Sequence, residues 1–290
     1  MSAPLPAAPS PSVGPPPTHV ASTNAFDAFE AAGWARAAAA YQRFFGPITS
    51  RLIDPILDGA GVGPATRLLD VACGPGHLAA EAATRGALPV GIDIAGAMVA
   101  VAQAAHPGLH VRQGDAQHLP FSAGAFDVVV SSFALMHLAE PERAAAEMAR
   151  VLAPGGRAAV AVWDVPERAR LFGWVLEAID AVGAEAPADI PVGDPFFRSA
   201  DEAELSGLLG ASGFGSVSVT TVAFSHPGTS CDEIWNGIVE GSVRTAALIR
   251  RQPLDVQRRI RQHFDARATA AATPEGIVMP FSVKLAVANR

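Results

Sequence analysis

Lysine is almost missing from this chain: Lys284 stands alone against 20 arginines in 290 residues. That imbalance reads as a coding bias rather than a functional choice. Cysteine is nearly as scarce. Cys73 and Cys231 belong to no CxxC pair and no Cys/His cluster. This argues against a structural zinc site or a disulfide framework and fits a reduced, cytoplasmic setting. No metal ligand set is expected. Long apolar runs are absent too; none approaches the ~18–20 residues that cross a bilayer. Nor does the N-terminus, MSAPLPAAPSPSVGPPPTHVAS, carry the charged start and apolar centre of a secretion signal. Positive charge is in deficit, with a formal net charge of −7, which disfavours broad, charge-driven nucleic-acid binding. No membrane partner is expected either, and composition leaves the oligomeric state open.

What the chain has in quantity is apolar surface. Its residues are 50% hydrophobic and 17% charged, enough for one α/β domain with a real core and an added subdomain. Residues 1–22 are rich in Pro, Ala and Ser, a composition that predicts a disordered tail. NAFDAFEAAGWARAAAAYQRFF predicts a helix broken at Gly46-Pro47, and ITSRLIDPILDGAG a second helix ending at Gly59 or Gly61. From residue 67 the pattern alternates. Short runs, apolar on both faces, predict buried parallel strands at 67–71, 88–92, 109–113, 126–131 and 158–163. Helices are expected between them at 76–85, 95–105 and 141–152, the last followed by the breaker Pro154-Gly155-Gly156. Such repeated βα units predict a doubly wound, Rossmann-like sheet. Further on, helices are expected at 167–182, 201–211, 230–250 and 253–271, and strands at 216–224 and 277–289. There is no internal repeat.

The chemistry is concentrated in LLDVACGPGHLAA, residues 68–80. Gly74-Pro75-Gly76-His77-Leu78-Ala79 fits GxGxxG/A, which by itself says only that the backbone turns sharply from strand to helix and bares its amides to a ligand. No Lys-Ser/Thr follows, so a P-loop is excluded. Asp93, at the end of the second strand, suits ribose hydroxyls, whether of a dinucleotide or of S-adenosylmethionine (SAM). Asp70 separates the two. Beside a pyrophosphate its carboxylate would repel; beside an ammonium and a sulfonium it would attract. GDAQHLPF, 114–121, places an acid and a small residue where an adenine amino edge could be held.

With FDVVVSSFALMHL and VLAPGGRAAVAVW added, these segments resemble the class I SAM-dependent methyltransferases, in order and spacing, over residues 67–163. The likeness is greatest to the small-molecule branch that includes the quinone-biosynthesis C-methyltransferases. The resemblance implies seven strands in the order 3-2-1-4-5-7-6 with strand 7 antiparallel, 216–224 being strand 6 and 277–289 strand 7. It implies cap helices over 23–62 and a SAM-binding domain over 63–290, with a helical insertion at about 230–271. It implies SAM as cofactor and a small-molecule acceptor with an oxygen, nitrogen or carbon nucleophile.

Carried over by position, Ala72, Cys73 and Gly74 would line the methionine part with their backbone, and Gly76 would let the following helix approach. Asp93 would take the ribose, Ile94 and Met98 the adenine face, and Asp115 and Ala116 the adenine amino edge. Ser131 and Phe133 join this cofactor set, with Tyr41 and Thr49 near the cofactor carboxylate. His137, just past strand 4, is the candidate base. His118 and His226 are fallbacks, and His77 is expected to be structural. Trp34, Phe172, Trp174, Phe196, Phe197, Trp235 and Met279 are expected to supply an apolar acceptor pocket. Seven arginines between Arg244 and Arg267 read as a solvated helix face or a grip on a substrate anion. Alternative readings are a SAM-fold enzyme that catalyses another reaction such as cyclisation, an NAD(P)-dependent oxidoreductase, and a non-catalytic SAM-binding partner.

Overall fold

The computed structural model describes residues 24–274 and 276–290; the expected tail at 1–22 lies outside them. The chain opens with α1 (Ala25–Thr49), a 3-10 turn at Ser50–Leu52 and α2 (Ile53–Gly59). Next come β1 (Arg67–Val71), α3 (His77–Thr84), β2 (Leu88–Asp93), α4 (Gly96–Ala105), β3 (His110–Gln113) and β4 (Phe126–Ser132). A 3-10 turn at Leu135–His137 leads to α5 (Pro141–Val151), β5 (Leu152–Trp163) and α6 (Arg170–Ala181). After another 3-10 turn at Arg198–Ala200 follow α7 (Glu202–Ala211) and β6 (Ser216–Gly228). The chain ends with α8 (Cys231–Gly241), α9 (Arg244–Arg250), α10 (Leu254–Ala270), β7 (Ala272–Thr273) and β8 (Gly276–Asn289).

The sheet order is β3-β2-β1-β4-β5-β8-β6, with the two-residue β7 pairing only with β8. The first five strands run parallel, and β8 is antiparallel to both its neighbours. This is the expected order; β7 simply adds an eighth, minimal strand. Helices cover both faces, so the central strands are buried on both sides: Leu68 and Leu69 of β1, Val129 and Val130 of β4, and Ala158 to Val162 of β5 are almost fully enclosed. The strand order reverses between β1 and β4, and this opens a crevice at their carboxyl ends.

Three local departures have identifiable causes. The helix break expected at Gly46-Pro47 comes three residues later. Pro47 removes one backbone donor, yet Ile48 and Leu52 beyond it are fully buried, and the Thr49 hydroxyl donates to the carbonyls of Phe45 (3.0 Å) and Gly46 (3.3 Å). Tertiary burial outweighs the proline. The helix expected over 230–250 is instead two, split at Ser242-Val243. The Ser242 hydroxyl donates to the Ile238 carbonyl at 2.7 Å and accepts from the Ala246 amide at 3.2 Å, so one side chain ends α8 and starts α9. Finally, β5 begins at Leu152 rather than 158. Leu152 pairs with Phe126, and Arg157 resumes opposite Val128 after a register shift. Pro154-Gly155-Gly156 is a bulge inside the strand, with Gly155 at φ 76°.

Candidate functional site

Two adjacent strand ends carry the same irregularity. Ala72 follows β1 at φ 57° and Phe133 follows β4 at φ 58°. The left-handed region is unfavourable for a residue with a Cβ, and such outliers concentrate at working sites. Both residues line a cavity in the crevice. After Ala72 the glycine loop continues left-handed, with Gly74 at φ 51° and Gly76 at φ 80°. A Cβ on Gly76 would lie 3.1 Å from Ala102 Cβ and 3.1 Å from Leu109 Cδ2, so its bareness lets α3 begin against α4. The loop is tied to β2 by Asp93, whose carboxylate accepts the Gly74 and Ala95 amides, each at 2.9 Å.

The acids here are buried without counter-cations. Asp70 Oδ2 has no hydrogen-bond partner. Burial pushes the Asp70 carboxyl up to about 8; the Asp93 charge adds to this and the Ala79 amide opposes it. Asp93 is raised to about 6 by burial, against the two amides it accepts. Among the described residues neither acid has an ion-pair partner within 4.0 Å. Burial and both carboxylates push the Cys73 thiol well up, so it is no nucleophile here. Tyr41 stacks on Phe45 (centroids 5.5 Å apart), and burial moves its hydroxyl up to about 12.

Aromatic rings make up another part of the cavity wall. Phe133 stacks on Trp163 at 4.0 Å, Trp163 meets Phe172 at 5.0 Å, and Phe172 meets Phe196 at 6.0 Å. His137 stands here, with Trp34 and Phe196 edge-on at 4.9 and 5.4 Å. Its Nδ1 lies 3.0 Å from Glu30 Oε2. Arg244, the first residue of α9, closes this part of the wall. Its guanidinium donates to the carbonyls of Met136 (3.2 Å) and Asp194 (3.0 Å) and lies over the rings of Phe26 and Phe196.

Of the expected cofactor residues, Tyr41, Thr49, Asp70, Ala72, Cys73, Gly74, Asp93, Ile94, Met98 and Phe133 line this one cavity, and His137 joins them. Gly76, Asp115, Ala116 and Ser131 stand outside its wall. Ser131 is buried within β4, and Ser132 takes the place in the wall. Asp115 accepts from the Gln117 amide at 2.8 Å and pairs with His118 Nδ1 at 3.0 Å. His118 is half exposed beside Arg143. His226 lies on β6 away from the cavity, and His77 lines it while pairing with His106 at 3.3 Å. Of the expected acceptor lining, Trp34, Phe172 and Phe196 are in place; Trp174, Phe197, Trp235 and Met279 pack elsewhere. Within the arginine stripe, Arg251 pairs with Asp189, Arg259 with Asp255, Arg261 with Asp232 and Asp265, and Arg267 with Glu177; Arg244 alone of the seven enters this cavity's wall.

Sequence reasoning missed Asp27, Glu30, Phe45 and Trp163 as wall residues, and singled out Arg244 only as one member of the arginine stripe. One signal was present. Asp27, Glu30, Trp34, Tyr41 and Phe45 recur at helical spacing on one stripe of α1, and acids on an otherwise apolar stripe mark a wall that something polar must meet. Asp27 also latches α1 to the crevice, accepting from Gln117 Nε2 and from the Ala139 amide, each at 3.0 Å.

Residues 69–160 match the methyltransferase-domain family. An uncharacterized protein of Mycobacterium bovis is 36% identical over 163 residues, 54% of this chain and 57% of that protein. A demethylmenaquinone methyltransferase of Beutenbergia cavernae is 37% identical over 138 residues, 47% of this chain and 58% of that enzyme. The chain thus spans somewhat over half the length of the curated relatives it matches. A phosphoethanolamine N-methyltransferase 2 of Haemonchus contortus, solved with SAM, shares the fold at a TM-score of 0.54 and 15% identity, covering 93% of this chain and 60% of that one. At the acid end, a buried carboxylate with one oxygen unpartnered, a second acid and bared loop amides call for a ligand that brings positive charge and hydroxyls. No helix among the described residues is long and apolar enough to cross a membrane.

Proposed function

We infer that this chain is a class I SAM-dependent methyltransferase and that it methylates a small apolar or aromatic metabolite. One observation carries the reading. A single cavity joins an acid end without counter-charge to an aromatic wall holding an imidazole.

SAM, when bound, supplies an activated methyl on a cationic sulfur. The residues divide the rest of the work. Asp70 and the backbone of Ala72, Cys73 and Gly74 receive the amino-acid part, with Tyr41 and Thr49 near its carboxylate, Thr49 from behind, its hydroxyl hydrogen being given to the α1 carbonyls. Asp93 accepts the ribose hydroxyls while holding the loop amides, and Ile94 and Met98 flank the adenine. Asp115 and Ala116 are proposed at the adenine amino edge, with Gly76 and Ser131 supporting from behind the wall. Methyl transfer is an in-line displacement, so alignment and exclusion of water account for most of the protein's contribution. Phe45, Phe133, Trp163, Phe172 and Phe196 present flat apolar faces for that purpose. His137 is placed to accept a proton from the acceptor. Residues 23–62 form the cap of this domain and 230–271 its helical insertion, and the cytoplasmic setting expected from the cysteines is retained.

Calorimetric titration with S-adenosylhomocysteine (SAH), NAD⁺ and NADPH tests the reading. Micromolar SAH binding without nicotinamide binding is expected. Binding of the nicotinamide cofactors alone would make this a dehydrogenase-like protein.

A further inference from the structure

Glu30 comes from α1, 107 residues from His137, and its side chain is only 3% exposed. A buried carboxylate facing a ring nitrogen at 3.0 Å acts as an acceptor, so Nδ1 must carry the hydrogen. In the neutral ring the lone pair then sits on Nε2. Nε2 makes no hydrogen bond to any described residue, yet it is not sealed off, and His137 belongs to the cavity wall. The ring cannot turn away easily. Trp34 and Phe196 flank it edge-on. Glu30 is itself fixed within α1, which Asp27 latches to the crevice on both the Gln117 and the Ala139 side. Its other oxygen, Oε1, is buried with no hydrogen-bond partner, so no second donor competes with the imidazole for the carboxylate.

We propose that Glu30 is a positioning residue that holds His137 as the Nδ1–H tautomer, with Nε2 as proton acceptor. The acceptor substrate is then one whose nucleophile bears a removable proton, a hydroxyl or N–H on an aromatic or apolar frame. This rests on the methyltransferase reading above. The step balances within the two substrates and one imidazole. The acceptor atom bonds to the methyl carbon, the carbon–sulfur bond breaks with its electron pair going to sulfur, and the acceptor's proton passes to Nε2. The imidazolium so formed faces the Glu30 carboxylate, which stabilises it where it stands. A neutral tertiary amine or thioether has no proton to give and makes no use of this arrangement.

The test begins without any acceptor. In uniformly ¹⁵N-histidine-labelled protein, long-range ¹H–¹⁵N spectra distinguish the two neutral tautomers, and His137→Gln identifies the signals among the eight histidines. Nδ1–H is expected for His137 in the unaltered protein. Glu30→Ala should shift it to the Nε2–H form that free imidazole prefers, and Glu30→Gln, whose amide oxygen still accepts, should restore Nδ1–H. An Nε2–H tautomer in the unaltered protein, or one indifferent to Glu30→Ala, overturns the proposal, and the first of these needs no variant to fold. SAH titration of the same samples reports on the methyltransferase reading separately. If SAH fails to bind while the tautomer is as expected, that reading fails and the local geometry does not.

Turnover with radiolabelled SAM is then measured on a panel of phenols, hydroquinones and anilines and on tertiary amines as controls. Glu30→Ala should lower kcat at least 10-fold on an accepted phenol or aniline, with Glu30→Gln intermediate and SAH affinity unchanged. Turnover of the tertiary amines alone, an unchanged kcat in Glu30→Ala, or no turnover across the panel by protein that binds SAH would each overturn the assigned acceptor class.

Discussion

At the scale of single residues, the two acids divide what a cationic ligand needs. Asp70 is held protonated near neutrality because burial lifts its carboxyl to about 8. An ammonium beside it favours the charged form, so binding must expel that proton. SAM binding at pH 7 is therefore expected to release close to one proton, visible as an apparent binding enthalpy that varies with the ionisation heat of the buffer. Affinity should climb between pH 6 and pH 8. Asp70→Asn should lose both effects and bind about 10-fold more weakly, since one unit of pKa corresponds to ~1.4 kcal/mol; a variant with the same proton release would move the origin of that proton elsewhere. Asp93 has two duties. Its oxygens hold the Gly74 and Ala95 amides, and the proposed ribose contact uses the lone pairs that remain. Asp93→Ala should lower stability by ~1–3 kcal/mol through the unpaired amides and SAH affinity by about 100-fold. Denaturant melts and calorimetry separate the two losses: a fall in stability with affinity intact would reduce Asp93 to a clasp on the loop.

At the scale of elements, the lid over the cavity depends on absent side chains. A Cβ at Gly33 in α1 would sit 2.2 Å from Val243 Cγ1, and one at Gly237 in α8 would sit 2.2 Å from the Phe44 ring. Bare backbone at these crossings lets α1 and α8 close together over the crevice. Gly33→Leu should force them apart, costing about 1–3 kcal/mol, with faster amide exchange in 25–49 and weaker SAH binding while the β1–β4 core keeps its protection. Uniform loss of protection would instead mean that α1 belongs to the core. The contrast between core and lid also explains what the sequence disclosed. β1, β2 and β4 were legible because both faces of a central parallel strand are buried, leaving an apolar run between glycines. The glycine loop and Asp93 were legible because ligand and backbone geometry fix residue types at fixed spacing. The passage of α1 through Pro47, the split at Ser242 and the bulge at Pro154 were not, since each is decided by burial or by a side-chain bond formed only in the folded chain. Glu30 was missed for the same reason, being brought to His137 from 107 residues away.

At the scale of the whole molecule, stability, pH and ligand are linked through the same crevice. In the unfolded chain an aspartate loses its proton near 3.9; folded, Asp70 keeps it until about 8 and Asp93 until about 6. Between those values the folded state binds more protons than the unfolded state, so stability falls as pH rises through the window. The ligand-free protein is accordingly expected to melt at a lower temperature at pH 9 than at pH 6, with Asp70→Asn removing most of the difference above pH 6. SAH reverses the sense. Its ammonium pairs with the ionised carboxylate, so the rise in melting temperature that it produces should be larger at pH 8 than at pH 6. At 100 times its dissociation constant a ligand adds about 2.7 kcal/mol, which for a chain of this size is roughly 4–5 °C. NAD⁺ should produce no such rise at either pH. Melts of the unaltered protein and of Asp70→Asn at the two pH values, each with and without SAH, decide the matter. A rise equal at both pH values, or undiminished in the variant, would remove Asp70 from the cation's side and leave the acid end of the cavity without its assigned partner.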